Sequence, residues 1–188
     1  MAKVRIGNDV SMYPMPVVLV GAMVGGRPNF LTVAWVSRVN YDPPMVGIAL
    51  GADHYTNPGI EGTGAFSINV PSVELVEKVD FCGMVSGRER DKGSLFALFY
   101  GEVTGVPMVD ECPLCLECRV VKKVELPGDV LYIGEIVGSY AERRCVKRGK
   151  LDVHEIKPFA LTMPDNRYWT LGEPLAKAWE VGKRLKKK

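Results

Sequence analysis

At 188 residues the chain is long enough to bury a core without disulfides or metal, and a length in that range implies one domain, expected to run over residues 1–188 with a C-terminal helix and Lys-rich tail from about 173. The formal net charge is +2, but Lys183, Arg184, Lys186, Lys187 and Lys188 supply five of the positives, leaving 2 − 5 = −3 elsewhere; nucleic acid is not an expected partner, and the tail reads as a solvated end. No apolar run is long enough to cross a bilayer and no signal-peptide core follows Met1-Ala2-Lys3-Val4-Arg5, so no membrane role is expected, and a cytoplasmic protein with five reduced cysteines is.

Val17-Val18-Leu19-Val20 reads as a buried strand, Gly25-Gly26 as a turn that tolerates positive φ, and residues 30–39 as the returning strand of a first hairpin. Asp42-Pro43-Pro44 ends that pairing. Residues 45–50 form a third strand and 65–70 a fourth, after a polar connection in which Thr56 is placed to cap one helical turn. Ser72 reads as the N-cap of an amphipathic helix carrying Leu75, Val76 and Val79 and ending near Cys82-Gly83, followed by a charged loop over 86–93. Residues 115–125 and 130–140 form a second hairpin around Leu126-Pro127-Gly128-Asp129. Residues 166–172 are too aromatic for a free linker, and 173–185 read as a helix with Leu175, Ala178, Trp179 and Gly182 on one side. Many short strands with few helices predict a mainly β chain folded as a closed or partly closed antiparallel barrel, because closure removes exposed edges.

One stretch departs from ordinary core patterning. Asn29-Phe30-Leu31-Thr32-Val33-Ala34-Trp35-Val36-Ser37 mixes hydroxyls, an amide and one large aromatic along a strand, a poor core but a good wall for a flat ligand with polar edges, such as a flavin. Neither the G-x-G-x-x-G fingerprint nor a P-loop occurs, so any phosphate must be held by side chains and loop amides. Thr56, Ser86, Gly87, Arg88 and Lys92 offer these in two loops, with Lys92 the preferred contact, although a lysine in a charged loop is ordinarily just solvated. Cys112, Cys115 and Cys118 have a spacing that can hold zinc or an iron–sulfur cluster. The alternation around Leu114 and Leu116 implies a strand, in which residues three apart face opposite ways, so no metal site is expected. No paired acids suggest hydrolysis, and two histidines leave little for acid–base chemistry; no catalytic residue is assigned.

Taken in order, N-F-L-T-V-A-W-V-S at 29–37, D-P-P at 42–44, Y-T-N at 55–57, G-A-F-S-I-N-V at 64–70, S-G-x-x-x-x-K at 86–92 and N-R-Y-W-x-L-G-E at 166–173 resemble the flavin reductase-like family of FMN-binding split barrels, and within it the flavoredoxins. The resemblance covers nearly the whole chain from about Tyr13. It implies an FMN-binding split β-barrel, a Greek-key antiparallel barrel with a few short helices, in a homodimer with FMN near the interface. The implied cofactor-binding set is Asn29, Thr32, Trp35, Val36, Ser37, His54, Tyr55, Thr56, Ser86, Gly87, Lys92 and Tyr168. Within it Asn29 and Trp35 would touch the isoalloxazine, Thr32 and Ser37 its polar edge or the ribityl chain, and Thr56 and Lys92 the phosphate. Tyr168 or Trp169 would approach a flavin bound mainly by the other subunit. Relatives often carry a His just before the second hairpin's returning strand, where this chain has Asp129-Val130-Leu131; His54 is the weaker substitute. The implied activity passes electrons from NAD(P)H or a reduced partner through FMN to free flavin, ferric iron or a redox protein. The alternative is a flavoredoxin-type electron carrier, or an FMN-binding protein, with no nicotinamide-dependent activity.

Overall fold

Two residues, Ala34 and Trp35, turn the main sheet into a barrel. The computed structural model describes residues 2–8, 12 and 14–187. Its seven-stranded sheet comprises β1 (Val18–Val24), β2 (Arg27–Val33), β3 (Val36–Asn40), β4 (Met45–Gly51), β5 (Ala65–Val70), β6 (Leu114–Glu125) and β7 (Asp129–Ala141). Every pairing is antiparallel and the order is β2-β1-β5-β6-β7-β4-β3. Laid flat, the edges of such a sheet would stand about 29 Å apart. The three Cα steps from Val33 to Val36 reach about 11 Å at most, so β2 and β3 can occupy opposite edges only if the sheet curls until those edges meet. The continuous strand expected over 30–39 is therefore two strands, paired with β1 and β4 respectively. The Ala49 N–H donates to the Trp35 carbonyl at 2.9 Å, which carries the β3–β4 pairing one residue into the break.

Period-two alternation sorts the side chains of this wall between two cores. Val18, Val20 and Ala22 of β1 point into the barrel with Leu31, Val33, Ile48, Leu50, Phe66, Ile68, Val130 and Tyr132. Leu19 and Phe30 point outwards, into a second core with Met108, Val109 and Phe159. Helix α1 (Asn57–Thr63) buries Ile60 in the barrel and ends at Gly64, whose left-handed φ of 65° closes the C-cap. Helix α2 (Val76–Met84) covers the outer core with Val79 and Cys82. Ser72 does not cap it: a 3₁₀ turn over Val73–Leu75 intervenes, and the Ser72 hydroxyl serves the Glu74 carboxylate, which is held down to about 2 by that bond and by Lys157.

Cys115 lies in the outer core and Cys118 in the barrel, as strand geometry requires. Burial pushes both thiols up to about 12. The described residues contain no group of three or more His, Cys, Asp or Glu placed to hold a metal ion.

The helix expected over 173–185 is not formed. Residues 171–177 are irregular, and a 3₁₀ stretch over Val181–Lys187 is the only helical part. The apolar side expected for that helix packs on nothing among the described residues, with Leu175 101% and Trp179 92% exposed, and a helix that short is marginal without a packed face.

On the outer face of β6, Glu117 is fully buried, and among the described residues it has no cationic partner. Its carboxylate accepts from the Val103 N–H at 2.9 Å, the Thr104 hydroxyl at 2.8 Å, the Tyr140 hydroxyl at 3.0 Å and the Thr104 N–H. A side chain at Gly101 would overlap this carboxylate, so the 101–106 loop is held against the barrel through backbone donors. Burial raises the Glu117 pKa, but these four donors outweigh it and leave it below the ordinary value. Because the folded value is the lower one, this contribution to stability is present above about pH 4.5 and is lost as pH falls through the folded value. Glu117→Ala is expected to cost about 3 kcal/mol in urea unfolding, since it strands buried donors; a loss under about 0.5 kcal/mol would rule the anchoring role out.

Candidate functional site

The seam of the barrel, the start of α1 and the loop leaving α2 converge on two adjoining cavities. One, of about 190 Å³, is walled by Asp53–Thr56, by the end of α2 with Ser86, Gly87 and Arg88, and by Leu31 and Lys92. The other, of about 340 Å³ and more apolar, is walled by Thr32, Val33, Ala34 and Trp35 on one side, by Ala49, Leu50 and Gly51 on the next strand, and by Asp129 and Met163. His54 borders both.

The smaller cavity is organised by a chain of buried polar groups. Asn29, buried on β2, donates from Nδ2 to the Thr56 hydroxyl at 2.9 Å. Thr56 stands at the N-cap of α1 in helical φ/ψ and makes no side-chain cap, so its hydroxyl accepts from Asn29 and keeps its own proton for another acceptor. Gly87 packs directly on Asn29: a Cβ there would overlap Asn29 Oδ1 and lie 2.7 Å from Tyr55 Cδ1. Ser86 Oγ accepts from the Arg88 N–H at 3.2 Å, bending the loop. Arg88 clamps it, donating to the Asp53 carbonyl at 3.2 Å and lying over the Tyr55 ring at 5.3 Å.

Lys92 closes this cavity and is 2% exposed. Its Nζ donates to the Cys82 and Val85 carbonyls, both at 3.0 Å, and among the described residues it has no anionic partner. An ammonium has three protons, so one remains for a ligand. Burial holds the Lys92 pKa below the ordinary lysine value and pushes the adjacent Cys82 thiol up to about 11. A buried cation without a counter-charge is costly, and an anion entering this cavity would relieve it.

The remaining expected residues divide. Trp35 is 53% exposed and walls the wider cavity, not a core. Thr32 also lines it, but its hydroxyl donates to the Val79 carbonyl of α2, so its proton is already committed. Val36 turns inwards onto the barrel core, and Ser37 is exposed, donates to the Arg38 carbonyl at 3.3 Å and borders neither cavity. Strand alternation at the seam accounts for this, since adjacent residues face opposite ways. Tyr168 donates to Asp80 Oδ1 at 2.8 Å and sits edge-on to Phe159 at 5.3 Å. It thereby fastens the hairpin Phe159–Thr162 and Arg167–Thr170 to α2, and burial with Asp80 pushes its phenol up to about 12. Trp169 donates to the Thr162 hydroxyl at 2.7 Å. Neither borders the cavities of its own chain.

Sequence reasoning missed Asp53, the carbonyls of Cys82 and Val85, and Met163. Carbonyls leave no trace in residue type, and Met163 reaches the seam from a turn more than a hundred residues downstream. Asp129 carried a signal, as the residue at the end of the Leu126-Pro127-Gly128 turn, and the structure puts it opposite Gly51 at the mouth of the wider cavity.

An antiparallel barrel closed at a two-residue seam, with a flat-walled cleft on one side of His54 and a cationic cavity on the other, belongs to the split-barrel class of flavin reductase folds. Residues 10–154 match the flavin reductase like domain, and the chain belongs to that family. It superposes on the flavoredoxin of Methanosarcina acetivorans with a TM-score of 0.96 and 47% identity, covering 98% of this chain and 100% of that one. With the flavoredoxin of Desulfovibrio vulgaris (Miyazaki F) the TM-score is 0.89 and the identity 31%, over 97% and 100% of the two chains. A more distant relative is the NADH-dependent FMN reductase AsuE2 of Streptomyces nodosus subsp. asukaensis, 25% identical over 130 residues, 68% of this chain and 69% of that one. A flavin is the cofactor class that family membership supports.

Proposed function

We propose that this protein is an FMN-dependent oxidoreductase that passes electrons from NAD(P)H or a reduced partner through FMN to free flavin, ferric iron or a redox protein. The observation that carries the reading is the buried, unpaired Lys92 ammonium at the base of a cavity whose other donors are the Thr56 hydroxyl and the Ser86-Gly87 loop. That donor set suits a phosphate monoester. In this reading Lys92, Thr56 and the loop hold the phosphate. Trp35 and the backbone of Thr32, Val33 and Ala34 form one wall for the ring, and His54 and Asp129 flank it. Asn29 orients Thr56 so that its proton points to the ligand. Bound FMN would supply hydride and electron transfer; the protein orients it and limits water at its face.

A second reading is an electron carrier without a nicotinamide site, favoured by 47% identity with a flavoredoxin. A homodimer is supported by Trp35, Val39 and Tyr41, side chains left exposed just before β3, on it and in the turn after it, with the half-exposed Trp169 then available to a neighbouring subunit's cleft. A cytoplasmic location agrees with five free, buried cysteines, and no helix among the described residues is long and apolar enough to cross a membrane.

The purified protein is expected to show flavin absorption bands, to release FMN in preference to FAD or riboflavin on denaturation, and to scatter light as a dimer. Anaerobic mixing with NADH and NADPH then separates the two readings: reduction within seconds supports the oxidoreductase, and no reduction by either leaves the carrier. A protein that is colourless and takes up no added FMN would overturn both.

A further inference from the structure

From Glu173 to Lys188 the chain holds six cations against two acids, while the 172 residues before them hold eighteen against twenty. Positive charge is thus concentrated in one segment. Reading that segment as solvated accounts for its lysines but not for its apolar side chains. Leu171, Leu175, Trp179, Val181 and Leu185 each leave half or more of their surface in water. No residue beyond Tyr168 belongs to either core, and among the described residues the hydrogen bonds of the segment and its Lys177–Glu180 ion pair, at 2.6 Å, are internal. So many large apolar groups held in water are unfavourable until some other apolar layer covers them. Wound as a helix from Pro174, a residue suited to a first turn, the segment would sort its side chains. Leu175, Ala178, Trp179, Gly182 and Leu185 would share one side and Lys177, Lys183 and Arg184 the other, because positions three and four apart lie on one face.

We propose that the segment from Glu173 onwards is an interfacial anchor for an anionic lipid surface: residues 174–185 fold there into a helix whose Leu175, Trp179 and Leu185 enter the acyl boundary, and the cations among and after them meet the headgroups. The indole of Trp179 suits that boundary, being apolar in body with one polar N–H. The lipid supplies the apolar face that the described residues do not, which is why the helix is absent from the free chain. Nucleic acid is equally anionic, but phosphates and grooves leave Leu175, Val181 and Leu185 unexplained. A second copy of this chain offers no matching concentration of acids, since the rest of the chain is close to neutral. The anchor lies in the interface without crossing it, as no described helix is long and apolar enough to cross a membrane. It uses no residue of the two flavin cavities and stands apart from the flavin assignment.

The test sediments the full chain, as purified, with vesicles of phosphatidylcholine alone or with about one third phosphatidylglycerol, and compares it with two variants, Leu175→Ser/Trp179→Ser and Lys183→Gln/Lys186→Gln/Lys187→Gln. Thermal midpoints of all three are expected to agree, because the substituted positions lie outside both cores. The wild type is expected to bind the anionic vesicles about tenfold or more tightly than the neutral ones, to gain helical circular dichroism on binding and to be released by salt. Each variant is expected to lose about tenfold or more of that affinity. Wild type that stays in the supernatant with anionic vesicles overturns the proposal. Undiminished binding by the serine variant also overturns it, by reducing the contact to surface charge, and undiminished binding by both variants places the contact elsewhere on the molecule. Wild type that ignores vesicles, with a serine variant that scatters light as a smaller species, would assign these apolar side chains to a second copy of the chain instead.

Discussion

Lys92→Ala will weaken FMN binding by about 1.5–3 kcal/mol, the range for a charge-assisted hydrogen bond, which is about ten- to more than a hundredfold in Kd. The same substitution will lower stability, because the Cys82 and Val85 carbonyls lose the donor that now serves them at 3.0 Å. An unserved buried acceptor costs about 1–3 kcal/mol, so urea midpoints must be measured beside FMN titrations. Lys92→Met keeps the stem and removes the charge, and is expected to lose FMN affinity to the same extent. Affinity should also fall as pH rises, beginning below the ordinary lysine range, because burial favours the neutral amine. If titration gives the same Kd for all three proteins, Lys92 has no part in holding the phosphate and its burial is purely structural.

Gly87→Ala is expected to act almost wholly on the ligand. The added methyl would overlap Asn29 Oδ1 and press on Tyr55, so the loop must lift from the barrel wall or Asn29 must release Thr56. Overpacking of this kind costs about 1–3 kcal/mol, and an exposed loop relieves it by moving, which leaves the two cores intact. FMN affinity should fall by about 1–3 kcal/mol with little change in thermal midpoint. A variant that melts several degrees lower yet binds FMN normally would place the Gly87 contact in the fold and outside the site.

Several elements were legible in the chain because they depend on near neighbours. β4, β5 and the hairpin of β6 and β7 fall within a few residues of their expected bounds, since period-two alternation and the Pro-Gly-Asp turn are local signals. The pairing of Asn29, Thr56, Gly87 and Lys92 was legible only as a resemblance spread over distant motifs. The break at Ala34-Trp35 was not, because neither Gly nor Pro marks it. Where that break falls also sets the facing of Val36 and Ser37. The missing helix after 173 shows the opposite error: Leu175 and Trp179 have helical spacing, but periodicity does not provide a surface to bury them.

By itself, then, the amino-acid sequence determined the β character of the chain, the strand faces that feed two cores, and the residue types able to meet a flavin and its phosphate. These follow from side-chain period, turn chemistry and charge, each readable within a short window. Only the tertiary structure decided that the sheet closes at Trp35, that Lys92 is buried on two carbonyls, that Thr32 spends its proton on α2, and that Asp129 and Met163 reach the cleft. Each of those depends on atoms brought together from separate segments of the chain, where burial and hydrogen-bond satisfaction are settled jointly and no local pattern records the outcome.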